Sequence, residues 1–454
     1  MFSRCFNAGR SLWPVVLSVV FMNGCASIYA PQNAALDSID TSTGYRGISH
    51  IGHMGDISVY MSFSGGGTRA AALSYGVLQE LAATRIGAEG NRRRLLDEVD
   101  HISSVSGGSF TAAYYGLFGD EIFETYEKDF LRQSIQGTLI RKLLNPAYWF
   151  KSMFSGFDRT EMAIDYYDRQ VFKGKTFADM RPTPLISINA TDLSQGNRIA
   201  FIQEYFDLLC SDLSQLKVAR AVTASSAVPV LFPSVVLENR SGDCDVSKSP
   251  WWSVLESDAP DNLRERQLLT NVRSYLDKDK RPYIHLVDGG ISDNLGLRAM
   301  LERLEVMGLQ ELNQARAPSH VLVIFVDAEV NPERTIDQSA QKPSLGTTLD
   351  AVTSVQISRF TAETQTLIHE AMDDLRRQAS TAGLPTQFHL VDVKFSSEKR
   401  EKLSEYLNSL PTSLELTDVE VDVLIDTGRS LLRQSAAYQA FLAADDIRGT
   451  QPPR

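Results

Sequence analysis

This chain of 454 residues has no basic excess: 45 Lys and Arg stand against 56 Asp and Glu, a formal net charge of −11. A general nucleic-acid binder needs a basic footprint, so that class is excluded. Its four cysteines, Cys5, Cys25, Cys210 and Cys244, are too widely spaced for a zinc signature. Its glycine-rich segments lack the Lys-Ser/Thr of a phosphate-binding loop and the spacing of a dinucleotide fingerprint. There is no internal repeat, and no long charge-rich or low-complexity stretch that would argue for disorder. The apolar run Leu12 to Met22 falls short of the ~20 residues that cross a bilayer.

What is present begins with a leader. Arg4 and Arg10 precede Leu12 to Met22, no acidic residue occurs before Cys25, and the stretch ends Met22-Asn23-Gly24-Cys25-Ala26-Ser27. This resembles a bacterial lipoprotein signal, with Met22 and Asn23 departing from the usual residues. The resemblance implies removal of residues 1–24, acylation of Cys25 and attachment to a membrane. Ala26-Ser27 is not an acidic retention pair, so the cell envelope, at the outer membrane, is the expected location. An ordinary cleaved signal or an uncleaved anchor are the other readings. Cys210 and Cys244 then remain, either as a disulfide closing a loop of about 35 residues or as two buried thiols.

Residues 25–55, without periodicity, read as a tether. From Asp56 the pattern is strand (Ile57, Val59, Met61, Phe63), glycine turn, then helix from Ala70 to Ala83. A strand Val99 to Val105, a turn at Ser106 and a helix from Thr111 to about Leu117 repeat the sequence of elements. Strand–turn–helix twice over predicts a parallel sheet with helices on its faces. Residues 118–180 break the rhythm and read as a helical insertion. Within it, Tyr148, Trp149, Phe150, Phe154 and Phe157 lie beside Arg141, Lys142 and Lys151; the stretch 139–157 suits a lid, a membrane contact or a small core of its own. Further strands are expected at Leu185–Ile188, Tyr283–Val287, Val321–Val326 and Phe388–Phe395. Helices are expected over about 214–227, 297–304 and 347–378, with two more near the end. Residues 238–281 read as a surface insertion.

Three motifs carry chemistry. Ser106-Gly107-Gly108 sits where a strand turns into a helix, the setting that exposes a nucleophilic serine. Ser104 occupies the position two residues before it, where glycine is usual. Gly65-Gly66-Gly67-Thr68-Arg69 can aim several N–H groups at one point at a helix start, which suits an oxyanion. Arg69 either caps that turn or binds a lipid phosphate. Asp288-Gly289-Gly290 ends an apolar strand and places a carboxylate at the sheet's carboxyl edge. Each motif alone is also compatible with a plain tight turn.

Together the motifs resemble the patatin-like phospholipase family, whose members pair a Gly-Gly-Gly-x-Arg loop with a serine elbow and an Asp-Gly-Gly/Ala motif. Ala224-Ser225-Ser226-Ala227-Val228-Pro229 and Asn294 also fit, while Ser104 and Leu295-Gly296 depart from it. The resemblance covers roughly residues 56–330, with insertions at about 118–180 and 238–281, and leaves 331–454 as a C-terminal extension on the same domain. It implies an α/β three-layer fold with a mostly parallel central sheet. It also implies a serine acyl hydrolase acting on lipid or phospholipid esters, Ser106 as nucleophile and Asp288 as base. Gly66, Gly67 and Gly107 would form the oxyanion hole, supported by Gly65, Arg69, Gly108 and Gly289, with no metal or organic cofactor. Two rival readings stand beside it. One is an α/β-hydrolase with a Ser-Asp-His triad, for which His320 and His389 qualify by chain order. The other is a non-catalytic lipid-binding or scaffold lipoprotein.

Overall fold

The computed structural model describes residues 31–47, 55–135, 137, 158–229, 231–256, 263–307, 317–330 and 335–448. The leader with Cys25 and the aromatic-basic stretch 139–157 lie outside them.

The first strand, β1 (Ile57–Phe63), feeds α1 (Gly67–Ala83), and β2 (Val99–Val105) feeds α2 (Gly107–Phe118). Both helices start earlier than the apolar periodicity predicts, because the glycines themselves form the first turn. There follow α3 (Arg159–Gln170), β3 (Leu185–Asp192), β4 (Asn197–Ala200), α4 (Val218–Ser225), β5 (Val235–Glu238) and α5 (Leu263–Ser274). Next come β6 (Tyr283–Val287), the short α6 (Gly290–Asp293), α7 (Arg298–Met307), β7 (His320–Asp327) and the long α8 (Leu345–Ala382). The chain closes with β8 (Gln387–Lys394), a helix Glu401–Ser409, α9 (Asp418–Gln434) and helices Ala436–Ala443 and Asp445–Arg448. The two late helices expected from the sequence are thus four.

The central sheet runs β8–β7–β1–β2–β3–β6–β5, with β4 also beside β3. From β8 to β3 every pairing is parallel; β6 joins β3, and β5 joins β6, antiparallel. β7 is buried on both faces, as its unbroken apolar run requires. Leu322, Ile324 and Val326 belong to the larger core, and Val321, Val323 and Phe325 to a second core that includes Ile368, Met372 and Leu375 of α8.

The last third is part of the same body. β8 extends the sheet in parallel from β7. α9 lies on α1 so closely that a methyl at Gly76 would stand 2.1 Å from the Ile425 carbonyl oxygen. Arg433 clasps the Glu80 carboxylate of α1 with two hydrogen bonds, 2.8 and 2.5 Å. The 238–281 segment is less superficial than its composition suggests: Leu269, Val272 and Tyr275 are buried, and the Tyr275 hydroxyl donates to Asp192 at 3.1 Å. Cys210 and Cys244 form a disulfide that ties this segment to the chain after β4.

Candidate active site

Parallel strands put their carboxyl ends on one edge, and the loops leaving β1 and β2 meet there. Gly107 lies against the first loop: a methyl on it would stand 2.0 Å from the Gly67 carbonyl oxygen, so only glycine lets the loops touch. This contact brings the starts of α1 and α2 together. The first N–H groups of a helix have no intrahelical partner. Among the described residues, those of Gly66, Gly67 and Gly107 pair with no carbonyl outside the helices, whereas Gly65 donates to Asn294 O at 3.0 Å and Gly108 to Ser64 O at 3.2 Å.

Ser106 stands between β2 and α2 at φ 49°, ψ −120°. A serine at positive φ is held by its surroundings against a cost of about 1–3 kcal/mol. Two contacts hold it. Its N–H donates to Ser225 Oγ at 2.9 Å, and Ser225 Oγ donates on to Asn189 O at 2.6 Å. Its own hydroxyl donates to Asp288 Oδ2 at 2.8 Å. Ser104 does not open the turn; it is buried in β2, and its hydroxyl donates to Ser187 O of β3 at 3.2 Å.

Asp288 follows β6 and is fixed on all sides. Its N–H donates to Ala227 O, and the next N–H, of Gly289, to Ser225 O, both at 3.0 Å. Its carbonyl accepts from Thr191 Oγ1 at 2.8 Å, and Oδ1 accepts from Gly290 N–H at 2.8 Å. Only 7% of the residue is exposed. Burial pushes its carboxyl up to about 6, against the opposing pull of the Gly290 and Ser106 hydrogen bonds. A carboxylate so placed is a better base than one in water and is still ionised at neutral pH.

Arg69 has a structural place. It is 2% exposed, and its guanidinium donates to Ala328 O (2.9 Å), Leu410 O (2.7 Å) and Thr412 Oγ1 (3.1 Å). The neighbouring Thr68 N–H donates to Ser413 O at 2.9 Å. Segment 410–413 of the C-terminal extension therefore lies directly on the glycine loop. This contact has no local sequence signal. Ser225 and Asn294 sit within blocks the sequence reading noticed, but their hydrogen bonds to the site required the fold. Thr191 and Asn189 close β3, where Asn-Ala-Thr-Asp after an apolar run was the available hint.

The triad reading falls on geometry. His320 pairs with Ile57 at the start of β1, while Val326 pairs with Phe63 at its end. Six steps of about 3.3 Å put the histidine about 20 Å from the glycine turn. There His320 Nδ1 meets His389 Nε2 at 3.0 Å and Nε2 meets Asp446 Oδ2 at 2.8 Å. His101 bonds Ser187 Oγ and His285 bonds Ser234 Oγ. Among the described residues no histidine hydrogen-bonds to Ser106 or Asp288.

Comparison with known proteins agrees with the geometry. The family model described as "Patatin-like phospholipase" matches residues 61–301, more than half of the chain. Among solved structures, human GIVD cytosolic phospholipase A2 matches at 14% identity and a TM-score of 0.28, over 59% of this chain and 45% of that one. The chain thus spans less than half of that protein's length, and a likeness at this level carries no argument. No curated protein matches. The family match alone decides: this chain belongs to the patatin-like phospholipase family.

Proposed function

We propose that the chain hydrolyses lipid acyl esters through a Ser106–Asp288 dyad. The observation that carries this is the 2.8 Å hydrogen bond from Ser106 Oγ to a buried carboxylate, made from a strained strand-to-helix turn. As Ser106 Oγ attacks the ester carbonyl, its proton passes to Asp288 Oδ2. The carbonyl oxygen becomes an oxyanion facing the N–H groups of Gly66, Gly67 and Gly107; one such donor is worth ~3–4 kcal/mol of barrier. Collapse breaks the ester C–O bond, and the leaving alcohol takes the proton from Asp288. Asp288 then accepts a proton from water as it attacks the acyl-serine, and returns it to Ser106 when the fatty acid leaves.

A fluorophosphonate probe tests this. Labelling of the wild type and none of Ser106→Ala is the expected result. Labelling of both would place the reactive serine elsewhere, and labelling of neither would favour a lipid-binding scaffold.

The second part of the proposal is location: Cys25 carries the acyl anchor and holds the enzyme at the outer membrane of a bacterial envelope. Support is the leader sequence ending at Gly24-Cys25. Incorporation of an alkynyl fatty acid in the wild type but not in Cys25→Ala is expected; equal incorporation would remove the anchor from the proposal.

A further inference from the structure

Ser106 enters the site from the end of β2 and Asp288 from the end of β6, two strands that do not pair; β3 lies between them. The distance from nucleophile to carboxylate is therefore set by what β3 offers to each side. Asn189 of β3 stands in register with Val105, the residue before the nucleophile, and is fully buried.

The Asn189 backbone carbonyl braces both turns. Toward the serine turn it accepts from Ser225 Oγ at 2.6 Å, and Ser225 Oγ accepts the Ser106 N–H at 2.9 Å. A serine hydroxyl has one proton and two lone pairs. Ser225 gives its proton to Asn189, so Ser109 Oγ, 3.0 Å away, donates to Ser225. With Ser106 and Ser109 on its lone pairs, this hydroxyl has no freedom to rotate. Toward the aspartate turn the same carbonyl is in close contact: a methyl at Gly289 would stand 2.3 Å from it.

The Asn189 side chain grips the end of β2 a second time. Its Nδ2 donates to Ser103 Oγ at 2.9 Å, to Ser104 O at 3.0 Å and, longer, to Ser187 O at 3.3 Å. Its Oδ1 accepts from Arg198 Nη1 of β4 at 2.8 Å. Reversed, the amide would set its oxygen against two carbonyls and its N–H groups against a guanidinium, so its direction is fixed. Arg198 is in turn held by Tyr205 OH at 3.1 Å and by Glu302 of α7. It keeps this pose although its buried Nε–H meets no acceptor, an arrangement that lowers stability. The aim of the amide is favoured over the arginine's own hydrogen bonding.

Neither Asn189 nor Ser225 hydrogen-bonds to the Ser106 hydroxyl or the Asp288 carboxylate, whose partners are each other and the Gly290 N–H. What the two residues control is geometry, and a misplacement of ~1 Å in a reacting pair costs about 100-fold in rate.

We propose that Asn189 is a positioning residue for the Ser106–Asp288 pair: its carbonyl spaces the two turns through Ser225 and Gly289, and Arg198 aims its amide at the end of β2. This role rests on the dyad reading of the site.

Three variants test it: Ser225→Ala, Asn189→Asp and Arg198→Gln. Asn189→Asp keeps the size, the backbone carbonyl and the Arg198 contact, and replaces the donor that faces Ser104 O by an acceptor. Each is measured for its denaturation midpoint, for kcat and KM on p-nitrophenyl butyrate, and for its rate of fluorophosphonate labelling. In folded Ser225→Ala and Asn189→Asp, kcat should fall at least tenfold with KM within twofold, and labelling should slow by a similar factor. Arg198→Gln leaves Asn189 in place but unaimed, and a three- to tenfold fall is expected; it carries the test of the amide if Asn189→Asp does not fold. Ser225→Ala has a further signature. The Ser106 hydrogen bond pulls Asp288 down, so loosening it should move the midpoint of the kcat/KM pH profile above about 6. A lowered denaturation midpoint with wild-type kcat and labelling rate in Ser225→Ala and Arg198→Gln would reduce the network to a stabilising one and overturn the proposal. A rise in KM alone would do the same. The two readings fail separately. Labelling that persists in Ser106→Ala removes the dyad, whereas labelling confined to Ser106 at wild-type rates in all three variants removes only the positioning role.

Discussion

At the scale of single residues, the proposed dyad makes the ionisation of Asp288 set the pH behaviour. It accepts a proton only when ionised, and burial holds it at about 6. The kcat/KM of ester hydrolysis should therefore rise with pH through about 6 and level off above it; a flat profile from 5 to 8 would exclude it as the base. The same burial has an opposite effect on stability. The folded-state value lies above the ~3.9 of an unfolded carboxyl, so stability from this group is full below pH 4 and is lost as pH rises through 6. Asp288→Asn should abolish hydrolysis and raise stability at pH 7 by about 2–3 kcal/mol, at ~1.4 kcal/mol per pH unit. Chemical denaturation reads this directly, and the gain should vanish at pH 4. Ser106 and Asp288 were legible in the sequence because each ends an apolar strand in a glycine-flanked turn, a local pattern with a local cause. The hydroxyl of Ser225 was not legible in its role, since what makes it useful is the Ser106 N–H 119 positions away in the chain.

At the scale of elements, the glycine loop is shaped from both ends of the chain. Arg69 and Thr68 reach Leu410, Thr412 and Ser413, so the start of α1 is fixed by a segment more than 300 residues later. Arg69→Met would leave the Ala328 and Leu410 carbonyls buried without a donor. A loss of about 3–5 kcal/mol is expected, at 1–3 kcal/mol for each unsatisfied group plus the lost charge-assisted bonds. Urea denaturation measures it; a loss under 1 kcal/mol would mean the contacts are dispensable. Thr412→Val, which removes one hydroxyl, should cost about 1 kcal/mol and slow fluorophosphonate labelling. Periodicity located most elements to within a few residues, because alternation and helical spacing are set by which face is buried. It missed the early starts of α1 and α2, where glycines that look like helix breakers make the first turn. Nor could it place the histidines: chain order admitted His320 and His389 as triad members, and only the register of β7 against β1 puts them at the far end of the sheet.

At the scale of the whole molecule, the disulfide and the last third are structural members. Replacing both Cys210 and Cys244 by Ala should cost about 3–4 kcal/mol by the chain-entropy relation for a loop of this length, measured as the denaturation midpoint against the wild type. A chain ending at Lys394 would expose the face of α1 that α9 covers and leave Glu80 without Arg433. It should fail to give a cooperative unfolding transition, rather than yield a smaller active domain. The family match stops at residue 301, and the sequence alone gave no measure of how far β8 and α9 complete the body, since sheet edges and helix faces are satisfied by partners distant in the chain.

The placement of Ser413 on the glycine loop also bears on the order in which the candidate site is completed during synthesis. A ribosome makes the serine, the aspartate and all three glycines well before it makes residue 413. Until that segment arrives, Thr68 N–H lacks Ser413 and Arg69 lacks Leu410 and Thr412, the partners that shape the glycine turn. On the proposed hydrolase reading, a chain that stops short of Ser413 would lack the contacts that shape this turn and should not label with a fluorophosphonate probe.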